Sequence, residues 1–252
     1  MSGRLSSDLS ARFAAAMPAG VTGAAIRAVY PRVEPELARL ASYAPRGGTA
    51  VDVGAWYGPW TRSLRRLADR VVAVEPAAEL AAHLTAAYPR VRVVRAAASD
   101  SVGTATLHLP EGGPGVGTSS VEAGDGRTVT VPRVTVDSLD LTDVRFVKVD
   151  VEGHEVPALR GAEDTIRRDR PLLLVEVEDR IQPVGPVLEL LAGWGYRPYV
   201  MPRDRWLPLA EFDLVAHQRE AVGRVRQSFA RRVVAPWPRY VNMVLFRPEA
   251  DR

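Results

Sequence analysis

The chain has no cysteine, and its one lysine, Lys148, stands among 33 basic residues. The first absence excludes disulfides, thiolate metal sites and thiol nucleophiles. The second means that nearly every basic side chain is an arginine, yet the formal net charge is only +3. So weak a field gives no footprint for nucleic acid. Long apolar runs are also missing, and none reaches the length of a membrane span. The early stretch "ARFAAAMPAG" is interrupted by Arg12 and Pro18 and does not read as a signal peptide. The expectation is a soluble, cytoplasmic protein with neither a membrane nor a nucleic-acid partner. Its oligomeric state is not legible in the sequence.

With 252 residues, 46% of them hydrophobic, the chain can bury a full core in a single α/β domain. Residues 5–30 are Ala-rich and suggest one or two short helices at an edge of the core. "EPELARLASYAP" (34–45) reads as a helix with Pro35 in its first turn. From residue 49, apolar runs alternate with helical patterns. Strands are expected at "TAVDVG", "RVVAVEP", "VRVVRAA", "VRFVKVD", "PLLLVEVE", "YRPYVM" and "VNMVLFR", and helices at 59–69, 77–88, 155–168 and 184–194. This alternation predicts a mainly parallel, seven-stranded sheet with helices on both faces. The period-two stretches "TATLHL" and "RTVTVPRVTV" interrupt it, so 102–136 is expected to be an antiparallel insertion.

Within that insertion, Gly112, Gly117, Thr118 and Ser119 imitate the spacing of a phosphate-binding loop, but the lysine that would complete it is missing. The turn "VDVGAWYGPW" is more informative. Asp52 ends a strand, and Gly54 and Gly58 leave the backbone bare where a ligand could press against it. About 20 residues on, at the spacing of ribose-binding acids, Glu75 closes the next strand before Pro76. That pairing suggests an adenosine-containing cofactor. A third glycine to seat a diphosphate is absent, which disfavours a dinucleotide and favours S-adenosyl-L-methionine. The sulfonium of that molecule suits acids and aromatic faces such as Asp52, Trp56, Tyr57 and Trp60. Each aromatic can equally be read as packing against the sheet.

The segment "VRFVKVDVEGHE" (144–155) crowds Asp150, Glu152, Gly153, His154 and Glu155 into one turn. Together with "VDVGAWYG", "VVAVEP" and "AAASDSVGTATL", it resembles the FkbM-type methyltransferase family over roughly residues 48–180. The resemblance implies a Rossmann-like methyltransferase fold and O-methylation of a hydroxyl on a sugar or natural product. By the same resemblance Asp52, Gly54 and Gly58 line the methionine end of the cofactor, Glu75 the ribose, and Ala98, Ser99 and Asp100 the adenine. Trp56 departs from the asparagine common there. The expected organisation is an N-terminal helical extension (1–46) followed by the methyltransferase domain (47–252). The other readings are a nicotinamide-dependent oxidoreductase and a non-catalytic ligand-binding protein of the same fold.

Methyl transfer to a neutral alcohol also requires that the hydroxyl proton be taken up. His154, with Asp150 and Glu152, forms the candidate catalytic group. In one reading His154 is the base; in the other it caps the helix or binds Asp150. Lys148 is expected to pair with an acid in the sheet. A Mg²⁺ ion held by the carboxylates, with Glu176 from the next strand, is the competing way to acidify the hydroxyl, and the metal-free base is preferred. Arginines 219, 224, 226, 231 and 232 lie in a helical pattern that reads as a solvated face.

Overall fold

The computed structural model of the chain describes residues 19–109, 121, 127–225 and 239–249. The phosphate-loop look-alike at 112–119 and arginines 226, 231 and 232 lie outside them. In chain order the strands are β1 (Thr49–Val53), β2 (Arg70–Val74), β3 (Arg92–Val94), β4 (Ala97–Ala98), β5 (Gly103–Leu109) and β6 (Arg127–Val134). They continue with β7 (Val144–Val149), β8 (Leu172–Glu176), β9 (Tyr196–Val200), β10 (Leu207–Pro208) and β11 (Met243–Pro248). The helices are α1 (Ala19–Val33), α2 (Pro35–Ala38), α3 (Leu40–Tyr43), α4 (Pro59–Leu64), α5 (Ala78–Ala87), α6 (Glu155–Arg160), α7 (Glu163–Asp169), α8 (Gly185–Gly193) and α9 (Leu214–Val225).

The main sheet runs in the order β10-β9-β11-β8-β7-β1-β2-β3. Strands β3, β2, β1, β7 and β8 pair in parallel, while β11 is antiparallel to both β8 and β9. All seven expected strands are in it. The eighth, β10, is a two-residue antiparallel addition to β9, too short to show any period in the sequence. The insertion is antiparallel as expected, with β5 and β6 paired from Gly103–Arg133 to Leu109–Arg127. It forms a second sheet, because the run "VRVVRAA" divides: β3 stays in the main sheet and β4 pairs in parallel with β6.

Side-chain alternation divides the core into two layers. Val51, Val53, Val147, Val149, Leu173 and Val175 face one cluster, covered by Ala158, Leu159 and Ile166 of α6 and α7 and by Val187 and Leu191 of α8. Ala50, Val71, Phe146, Leu174 and Leu245 face the other, covered by Leu37 and Leu40 of the N-terminal segment and by Trp60 and Leu64 of α4. The N-terminal segment is also tied to the far end of the chain by a buried ion pair between Glu36 and Arg239.

Two expected helices are broken. The 34–45 pattern divides at Arg39 into α2 and α3. The 155–168 pattern divides at Gly161, whose backbone lies so close to the end of β4 that a Cβ would stand 1.9 Å from the Ser99 carbonyl oxygen, an approach only glycine allows. A remote residue restarts it: the Asp137 carboxylate accepts the Asp164 and Thr165 N–H groups at 3.1 and 2.8 Å, capping α7 from outside its own sequence.

Candidate active site

On the layer that carries Ala50, Phe146 and Leu174, the next inward positions towards the carboxyl ends of β1, β7 and β8 are Asp52, Lys148 and Glu176. The same face therefore changes from apolar to ionic within one pleat. Lys148 is 1% exposed, and its ammonium lies 3.1 Å from Asp150 Oδ2 and 3.7 Å from Asp52 Oδ1, while donating to the Gly54 carbonyl at 2.8 Å. Burial by itself would lower its pKa; Asp150 and Asp52 more than offset this and hold it above the usual lysine value. Asp52 is fully buried and accepts the Thr61 hydroxyl at 2.5 Å. Its carboxylate thus locks the turn to α4 and to β7.

The two glycines of that turn are needed by the protein's own packing. Gly54 has φ +75°, and a Cβ there would come within 1.8 Å of the Asp150 carbonyl oxygen. Gly58 has φ +76° and sits against Leu84 of α5 and Tyr88 at its C-terminal end. Between them the Trp56 N–H donates to Glu75 Oε2 at 2.8 Å, and the Ala77 N–H to Oε1 at 2.9 Å. Burial raises the Glu75 pKa to about 7, the two amide donors acting against it. Pro76 is half-buried between Glu75 and Ala77.

The second turn lies across β7. Asp150, Glu152 and Glu176 bring one carboxylate oxygen each within 4.8 Å of one another, close enough for a divalent cation to be shared. Burial raises Glu152 to about 8, with Asp150 and Glu178 adding to the shift. Glu176 is raised well above the carboxylate range by burial, then by Asp150, Glu152 and Glu178. Asn242 donates to Glu176 at 2.5 Å and to Glu178 at 3.1 Å. Trp56 and Glu152 have left-handed backbone, φ 50° and 52°, a strain of about 1–2 kcal/mol each for a non-glycine residue.

His154 occupies the N-cap position of α6 without a capping hydrogen bond from its side chain, and its Nε2 is 2.9 Å from the Ser99 hydroxyl. Glu155 holds the turn instead. Its Oε1 accepts the Val151 and Gly153 N–H groups at 3.2 Å, and its other oxygen is in a short hydrogen bond with Gln182. Ala98 and Ser99 are buried to 3% and 1% exposure, whereas Asp100 is exposed and accepts the Ser101 hydroxyl at 2.9 Å. Tyr57 is buried, edge-on to Trp56 at 5.1 Å and to His83 at 5.6 Å. Trp60 is buried too, and its indole N–H donates to Glu34 at 2.8 Å.

The profile of the methyltransferase FkbM domain matches residues 52–198, more than half of the chain. The chain belongs to the FkbM methyltransferase family. Its fold is that of the Rossmann-like methyltransferases. The methyltransferase FkbM of Methylobacillus flagellatus is similar at 15% identity and a TM-score of 0.50, covering 82% of this chain. The chain spans 45% of the length of that protein. A TehB-like SAM-dependent methyltransferase of Corynebacterium glutamicum is 14% identical, with a TM-score of 0.46 over 85% of this chain and 87% of its own. No curated protein matches the chain significantly. Among the described residues, no helix is long and apolar enough to cross a membrane.

In this FkbM-family chain the two signature turns, 52–58 and 150–155, meet through Lys148 and through Gly54 against Asp150. Thr61, Gln182 and Glu34 were not singled out from the sequence. Thr61 looks like an ordinary first-turn helix residue, Gln182 like loop, and Glu34 like a helix start before Pro35.

The raised acids have a consequence for stability. Glu34, Glu75 and Glu155 are pushed up to about 7 and Glu152 to about 8, chiefly by burial. Between their unfolded value of 4.5 and these pKa values the native state holds more protons than the unfolded state, so stability falls as pH rises through that window. Each net proton released contributes a slope of about 1.4 kcal/mol per pH unit. Urea midpoints of the ligand-free protein should therefore decline from pH 5 to pH 8; a midpoint that rises over this range would show the acids to be ionised and compensated.

Proposed function

We propose that the protein is an S-adenosyl-L-methionine-dependent O-methyltransferase whose acceptor is a hydroxyl of a sugar or natural product. The observation that carries the reading is the cluster of acids at the carboxyl ends of β1, β2 and β7. Glu75 stands at the second strand, Asp150 and Glu152 at the fourth of the parallel set, and His154 beside them. The donor set fits that molecule. Glu75 accepts one amide on each oxygen, and an ionised carboxylate has about four lone-pair sites in all, so capacity remains for two ribose hydroxyls. The carboxylates around Asp150 suit a ligand with a sulfonium and an ammonium. S-adenosyl-L-methionine supplies there a methyl group on a positively charged sulfur.

The chain's own residues align and deprotonate the acceptor. Asp52, Thr61 and Lys148 position the cofactor turn from below, as Glu155 and Gln182 position the acid turn. Ser99 orients the His154 ring through Nε2, and His154 takes the proton of the attacking hydroxyl. Alignment of the two reacting atoms, with water displaced once donor and acceptor are bound, contributes much of the rate. Ala98, Ser99 and Asp100 flank the adenine end through backbone and the exposed Asp100 carboxylate.

Glu75 must be ionised to accept both ribose hydroxyls. Affinity for S-adenosyl-L-methionine, read by calorimetry, should therefore weaken as pH falls through about 7. Glu75→Ala should cost about 1.5–3 kcal/mol, the range for hydrogen bonds to a charged group. Glu75→Gln should flatten the part of the pH dependence that belongs to this carboxyl. Unchanged binding in the alanine variant would remove Glu75 from the cofactor site.

A further inference from the structure

We propose that Tyr30, a residue of the N-terminal helix outside the matched methyltransferase domain, is part of the methyl-donor pocket, its ring forming with Trp56 the aromatic wall against which the sulfonium is held. The inference rests on the reading that the donor is S-adenosyl-L-methionine.

Four observations converge on Tyr30. Its ring centroid is 5.8 Å from that of Trp56, with the planes tilted at 53°. Trp56 is itself fixed at the cofactor turn, its N–H on Glu75 and its ring edge-on to Tyr57. The Tyr30 hydroxyl is hydrogen-bonded to Glu34, whose carboxylate also accepts the Trp60 indole N–H. The phenol is held far above its usual pKa by burial first, then by Glu34 and by Asp150, with Glu176 adding to it. Tyr30 therefore packs beside the turn after β1, where Asp150 acts on it electrostatically. Both Tyr30 and Trp56 keep partial exposure, unlike the sealed Tyr57 and Trp60.

A sulfonium has no N–H or O–H to donate, so hydrogen bonds cannot select it. What distinguishes it from the neutral thioether of the product is its charge, which the negative face of an aromatic ring attracts. Glu34 fixes the phenol so that the ring is presented without being free to swing. The helix carrying Tyr30 is anchored at the same place: Arg27 donates to the Tyr57 carbonyl at 3.2 Å and lies 2.7 Å from His83 Nε2.

The test compares two ligands on the full chain by calorimetry: S-adenosylmethionine and S-adenosylhomocysteine, which differ in the methyl group and the charge. Tyr30→Leu should weaken S-adenosylmethionine by about fivefold to thirtyfold while leaving S-adenosylhomocysteine within about twofold. Tyr30→Phe, which keeps the ring, should preserve the ratio of the two affinities. If the leucine variant does not fold, pentafluorophenylalanine at position 30 keeps the ring's size and reverses its quadrupole, and it should lower the same ratio. A ratio unchanged in the folded leucine variant, or in the fluorinated one if leucine does not fold, overturns the assignment, whether both affinities fall together or neither does. Failure of the unaltered protein to bind either ligand would instead overturn the donor reading on which the inference rests.

Discussion

His154→Ala is expected to lower turnover by about 10²–10⁴, the range for loss of a positioned general base, with little change in cofactor affinity. The ring is set 2.9 Å from the Ser99 hydroxyl at the start of α6, next to the turn that carries Asp150 and Glu152. Removing it leaves the glycine turn and Glu75 untouched, so donor binding should survive. Ser99→Ala should retain part of the activity, since it frees the ring without deleting it. The competing arrangement is a divalent cation on Asp150, Glu152 and Glu176, whose oxygens lie within 4.8 Å of one another. Turnover that persists through exhaustive EDTA treatment and collapses in His154→Ala supports the base. Full activity in His154→Ala, with loss in EDTA and recovery on adding Mg²⁺, would transfer the role to the carboxylates.

The second large effect belongs to Lys148, which is expected to carry stability rather than chemistry. Lys148→Met removes the ammonium between Asp52 and Asp150 and the donor to the Gly54 carbonyl. Asp52 is fully buried, so its charge is left without a cation in a region that water does not reach. Breaking a buried pair in this way costs about 3–5 kcal/mol. For a chain of this size that corresponds to a fall in Tm of about 6–20 °C. The double variant Lys148→Met, Asp52→Asn should recover part of the loss, because the remaining partner is then neutral. Urea unfolding of the single and double variants checks both statements. A single variant within about 1 kcal/mol of the unaltered protein would mean that water or a rearranged arginine already compensates Asp52.

Most of the sheet was legible because its strands are buried on both faces and read as valine-rich runs separated by helical patterns. Every one of the seven expected strands is in the main sheet, and the period-two stretches of the insertion pair antiparallel. What was missed depends on contacts remote in sequence. Gly161, where the helix divides, packs against the Ser99 carbonyl, 62 positions earlier, and α7 restarts on the Asp137 carboxylate. The two-residue β10 is too short for any local signal.

The sequence by itself determined the family, through the order and spacing of "VDVGAWYG", "VVAVEP" and "KVDVEGHE", because those residue types at those intervals place glycine, acid and turn at the ends of three strands. It also marked Lys148 as a partner for an acid. Only the tertiary structure decided which partner each candidate takes: Asp52 with Thr61 and Lys148, His154 with Ser99, Glu75 with the Trp56 and Ala77 amides. Likewise only the fold brings Tyr30 and Glu34 from the N-terminal segment beside Trp56, Trp60 and the Asp150 acids. The reason is physical: periodicity and turn chemistry are local and act along the chain. Desolvation, charge pairing and close backbone approach act across space, between strands whose neighbours in the sheet are not neighbours in sequence.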